Sequence, residues 1–81
     1  MSERDHKRRA LVALAGSSNG YTEATLLASG LPTITLAELV DQGLVSAVAE
    51  PMPFRPGTTR KVTRIRITNA GREILLGLVA R

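Results

Sequence analysis

Two stretches decide the fold: Leu39-Val40-Asp41-Gln42-Gly43-Leu44-Val45, and Arg64-Ile65-Arg66-Ile67-Thr68-Asn69-Ala70-Gly71-Arg72-Glu73. The first reads as a helix that stops on a glycine and runs directly into a strand. The second alternates Arg and Ile with a period of two, then meets Thr68-Asn69, a pair suited to capping a helix. Between them lies Pro51-Met52-Pro53-Phe54-Arg55-Pro56-Gly57, flanked by Arg60 and Lys61. Three prolines in that run remove ladder donors, so it cannot be interior sheet and reads as a hairpin tip. The strands on either side are expected over Leu44 to Glu50 and Lys61 to Thr68. Thr63, Ile65 and Ile67 should lie on one face, and Arg64 and Arg66 on the other.

Working back from there, Ser2-Glu3-Arg4-Asp5 has capping-box spacing, and a first helix is expected up to Ala15. Leu11, Leu14 and Ala15 form its apolar stripe, and Lys7, Arg8 and Arg9 precede it. Ser17-Ser18-Asn19-Gly20 is a loop by composition. Tyr21 belongs to a strand of one to three residues. Thr22 caps a second helix whose Leu26, Leu27 and Ala28 turn inward and which Gly30 closes. Pro32 or Thr33 opens a third helix that runs to Gln42, with Ile34, Leu36, Leu39 and Val40 as its apolar residues. Two short helices joined around Ser29-Gly30-Leu31 make a helix-turn-helix. A last helix from Ala70 to about Ala80 carries Ile74, Leu75, Leu76, Leu78 and Val79, apolar over more than half its circumference.

The 81 residues fill one domain, 1–81, with a stability of roughly 4–12 kcal/mol. There is no cysteine, so neither disulfides nor thiolate metal sites are available. No segment approaches the ~20 apolar residues of a membrane span, and the charged start lacks a signal core. The expectation is a soluble cytoplasmic protein. Net charge is +4 and the pI about 10.7. That charge is unevenly spread. Residues 1–9 carry +2, residues 10–50 carry −4, and residues 51–81 carry +6. Such asymmetry points to a polyanion or an anionic surface as partner.

The order helix, short strand, helix, helix, strand, hairpin, strand, helix resembles the winged-helix superfamily, and within it small bacterial regulators of the MarR and PadR type. The two quoted stretches carry the likeness, which spans roughly Thr22 to Leu76. It implies an α+β fold: a three-helix helix-turn-helix core, a small antiparallel sheet with a β-hairpin wing, and a C-terminal helix. It also implies double-stranded DNA as partner, with helix 32–42 in a major groove and wing 51–66 on phosphate or the minor groove.

In that pose Thr33, Thr35, Glu38 and Gln42 are expected to face outward. Thr suits a phosphate or thymine methyl, and Gln suits adenine. The third helix has no Lys or Arg, so the commonest base contact, Arg to guanine, is missing. Arg55, Arg60, Lys61, Arg64 and Arg66 are expected to form one cationic front able to cover ~3–5 phosphates. Ile74, Leu75, Leu76, Leu78 and Val79 supply a candidate homodimer surface. The acidic third helix also admits a different class of function, a protein–protein contact module that does not bind DNA.

Other chemistries lack their residues. His6 is the sole histidine, which leaves a metal site or a serine nucleophile without partners. Gly16 to Gly20 has neither the lysine nor the preceding strand of a phosphate-binding loop. No enzyme activity, cofactor or metal is expected, and no small-molecule substrate is identified. With Tyr21 and Phe54 the only aromatics, stacking on single-stranded nucleic acid is disfavoured.

Overall fold

The computed structural model describes residues 3–79, with side chains over residues 4–77. Four helices and one sheet follow in the order α1 (Glu3–Ala15), β1 (Tyr21–Thr22), α2 (Glu23–Ala28), α3 (Thr33–Asp41), β2 (Val45–Arg55), β3 (Thr58–Ile67) and α4 (Asn69–Val79). The sheet is antiparallel with strand order β1-β3-β2. This is an α+β fold. The capping box expected from Ser2 lies outside the described residues.

Chain reversals are set by local chemistry. The Thr22 side chain accepts the Thr25 N–H at 3.2 Å, which caps α2. Both α2 and α3 then end on the same six-to-one and five-to-two bond pair. Leu31 N–H reaches Leu26 C=O and Gly30 N–H reaches Leu27 C=O; Leu44 N–H reaches Leu39 C=O and Gly43 N–H reaches Val40 C=O. That pattern needs a left-handed residue after the cap. Gly30 (φ +101°) and Gly43 (φ +72°) supply it.

The first of these reversals sets the phase of α3. It buries Leu31 beside Leu26 before the helix begins, so the inward stripe continues with Thr35, Leu36 and Leu39. Ile34, expected inside, is therefore 67% exposed, and Val40 is exposed as well. The core comprises Ala10, Leu11 and Leu14 of α1, Leu26, Leu31, Leu36, Leu39, and Val45 and Ile65 of the sheet. Leu27, Leu44, Ile67 and Leu75 pack against it.

The strands differ from expectation in length. β2 does not stop at Glu50. It continues through Pro51 and Pro53 to Arg55, and only Pro56-Gly57 remain as the turn. Proline is tolerated here because β2 is an edge strand and needs donors on one side only. Pro before a glycine at φ +81° is the residue order of a type II turn. A register shift between Pro53 and Arg55 puts an irregularity at Phe54. Residues 51–61 are all exposed, and the hairpin projects beyond the core. The molecule is accordingly elongated, 50 × 25 × 21 Å.

One junction ties the hairpin to the helices. Thr68 N–H donates to Leu44 C=O at 3.0 Å, and Thr68 Oγ1 donates to Gly43 C=O at 2.7 Å. The same hydroxyl accepts Gly71 N–H at 3.1 Å and so caps α4. Gly71 is buried here, and a Cβ on it would overlap the Leu44 carbonyl oxygen. Gly71→Ala should therefore lower unfolding free energy by about 1–3 kcal/mol, the usual range for overpacking. Urea midpoints of the two proteins measure it; an unchanged midpoint would show that the junction yields freely.

Candidate nucleic-acid interface

The faces of the hairpin follow from its register. Ser46↔Arg66, Val48↔Arg64, Glu50↔Val62 and Met52↔Arg60 are cross-strand partners, so these side chains share one face. Val45↔Ile67, Ala47↔Ile65, Ala49↔Thr63 and Pro51↔Lys61 share the other, the face that carries the core. Arg64 and Arg66 do lie opposite Ile65 and Ile67. The five cations do not form a single front, however. Arg60, Arg64 and Arg66 share the outer face, whereas Lys61 has the parity of Thr63 and Ile65 and lies on the core side.

Their electrostatic settings also differ. Arg64 Nε donates to Glu50 Oε2 at 2.9 Å, and Arg66 Nη2 to Glu50 Oε1 at 3.5 Å. Arg64 Nη1 adds a longer bond of 3.4 Å to Asn19 C=O. One carboxylate thus engages two of the five cations at the base of the hairpin. Sequence reasoning missed Glu50. The signal that could have found it is the diagonal of the ladder: opposite Val62, it stands one same-face step from Arg64.

The tip is arranged otherwise. The guanidinium carbons of Arg55 and Arg60 lie 5.0 and 4.7 Å from the centre of the Phe54 ring. Stacking on a partly exposed aromatic holds both cations in place at little cost to their charge. Lys61 is exposed beside them. Among the described residues, Arg55, Arg60 and Lys61 have no carboxylate partner.

On α3, Thr33 and Gln42 are exposed as expected. Thr35 is not. It is 1% exposed, because the inward stripe set by Leu31 includes it, and no base or phosphate can reach it. Glu38 is half-buried and paired with Lys7 Nζ at 3.3 Å, joining α1 to α3. The outer face of α3 is thus Thr33, Ile34, Ala37, Val40, Asp41 and Gln42, without a cation. Arg9 Nη2 donates to Ser29 C=O at 3.3 Å, at the end of α2.

Of the expected dimer residues, Ile74 and Leu76 are exposed, whereas Leu75 packs against the core of its own chain. The side chains of Leu78 and Val79 lie outside the described residues. Among the described residues no group of His, Cys, Asp and Glu could hold a metal ion, and no helix is long and apolar enough to cross a membrane. No protein-family model matches the chain, and no curated protein or solved structure matches it.

The phase of α3 is open to measurement. Thr35→Ala should cost about 1–2 kcal/mol of stability through lost packing of a buried side chain. Ile34→Ala, at an exposed position, should stay within about 0.5 kcal/mol. Denaturation of both variants checks this, and the reverse order would mean the helix is rotated from the described position.

Proposed function

We propose that this chain is a winged-helix DNA-binding domain that acts as a small transcriptional regulator in the cytoplasm. One observation carries the reading: a basic hairpin, its tip cations exposed and without carboxylate partners among the described residues, projects from a body of short helices. Arg55, Arg60 and Lys61 engage phosphates, which positions a protein on the duplex without reading its sequence. Arg64 and Arg66 contribute only as far as Glu50 releases them. Exposed Ile34 and Val40 suit thymine methyl groups, and Gln42 suits an adenine edge. With no cation on α3, discrimination between sequences is weak and backbone contact dominates.

Titration of a random-sequence duplex at several salt concentrations tests this. For each protomer bound, three phosphates neutralised give a log–log salt slope of roughly −3. Replacing Arg60 and Lys61 by Ala together should flatten the slope by about two and weaken all sequences alike. Glu50→Gln should change stability by less than about 1 kcal/mol, since the pairs it breaks are partly exposed. It should steepen the slope by about one to two, because Arg64 and Arg66 become available. No binding at low salt would remove the proposal.

A second reading rests on Ile34, the most exposed apolar residue of a helix without cations. On this reading α3 meets another protein and the domain does not touch DNA. The duplex titration would then be flat for the wild type and for every variant.

We further propose that the regulator is a homodimer joined through α4, where Leu76, 69% exposed, is an uncovered apolar side chain and Ile74 is exposed on another side of the helix. Light scattering should give twice the chain mass, and Leu76→Glu should return it to one chain. A wild-type monomer at high concentration would overturn this assignment.

A further inference from the structure

We propose that the open edge of β3, at Thr59, Lys61 and Thr63, accepts an extended acidic segment of another protein as a fourth strand. The proposal does not rest on DNA binding, although both would use Arg60 and Lys61.

The topology leaves that edge unfilled. β2 covers one side of β3 along its length, from Val45↔Ile67 to Arg55↔Thr58. On the other side β1 reaches only Ile65 and Arg64 before Thr22 turns the chain into α2. The backbone of residues 58–63 is therefore paired on one side alone.

The phase of the ladder tells which groups are open. In an antiparallel pair, alternate residues turn their N–H and C=O to opposite sides. Pro51 stands opposite Lys61 and Pro53 opposite Thr59. Proline has no N–H to give, so these rungs fit where β2 faces away from β3. Thr59, Lys61 and Thr63 then point to the other edge, in step with Ile65, which meets Tyr21 of β1. The same prolines deny donors along the outer edge of β2, so the sheet is closed to a new strand on one side and open on the other.

The surroundings specify the occupant. A cleft of about 510 Å³ runs from the first turn of α2, at Glu23 and Ala24, past residues 60–63 of β3 to residues 52–54 of β2, and so includes the open stretch of β3. Arg60 and Lys61 bring positive charge to it, with Arg55 close by over Phe54. Glu23 stands at the α2 end. A second copy would set like charges against each other across the new rung, which destabilises strand pairing. A segment with carboxylates toward Arg60 and Lys61, and a neutral or basic residue toward Glu23, complements the site. Six extended residues span about 20 Å, the length of 58–63. Main-chain bonds would give affinity and alternate side chains specificity.

The experiment uses the isotope-labelled full chain and two synthetic eight-residue peptides of valine and threonine around a central Glu-Glu pair, which sets one carboxylate on each face of the strand, one peptide with a lysine at its N-terminus and one with it at its C-terminus. Amide shifts and slowed exchange should appear at Thr59, Lys61 and Thr63, and one lysine placement should bind better than the other. N-methylating the peptide at the positions that face β3 should weaken binding about tenfold or more, whereas methylating the alternate positions should not. Thr59→Pro removes one receiving donor while keeping every charge, and should weaken binding similarly. The methylation pair uses the unaltered protein and stands even if that variant misfolds. No shift at these amides at millimolar peptide overturns the proposal, as does equal weakening by both methylation patterns, which would indicate attraction by charge alone. Loss of peptide pairing with an intact duplex salt slope sinks this proposal only; the converse sinks only the nucleic-acid reading.

Discussion

The carbonyl of Leu44 is the point on which the arrangement turns. It lies just beyond the reversal that ends α3, and it receives the N–H of Thr68 where β3 gives way to α4. Gly71 must be bare to pass it. The Thr68 hydroxyl adds a bond to Gly43 and caps the following helix. A helix end, a strand pair and a helix start are thereby fixed to one another within a few residues. The angle at which the hairpin leaves the body depends on this stitch, because β2 and β3 both emanate from it.

Charge along the hairpin is graded by its distance from that stitch. At the base, Glu50 lies between Arg64 and Arg66, and the pairs are partly buried. Ion pairs in such positions add little to stability but hold side chains in one conformation. At the tip, Arg55 and Arg60 stack on Phe54 and keep their charge accessible. The molecule offers its accessible positive charge at the tip, an arrangement that steers an anionic partner there.

The places where the chain changes direction were legible in the sequence. Thr22, Gly30, Gly43 and Thr68 each do what their chemistry indicates, since caps and left-handed glycines act through nearest neighbours. The Arg–Ile alternation gave the correct faces of β3; the same parity, carried on to Lys61, goes against the single cationic front expected of the hairpin. What could not be read depends on contacts between elements. The rotation of α3 followed from Leu31 being captured before the helix began, which exchanged Ile34 for Thr35 in the interior. The run through Pro51 and Pro53 looked like a loop because tolerance of proline depends on which strand lies at the edge. Glu50 escaped notice because its partners are distant in sequence and appear only once the register is known.

Nothing between Pro51 and Lys61 is buried. The residues that keep this chain folded and those that present its charge therefore occupy separate stretches of the polypeptide. Substitution at the tip can retune what the molecule prefers to meet while leaving its melting behaviour nearly untouched, and an evolving lineage could revise that preference again and again on an unchanged scaffold.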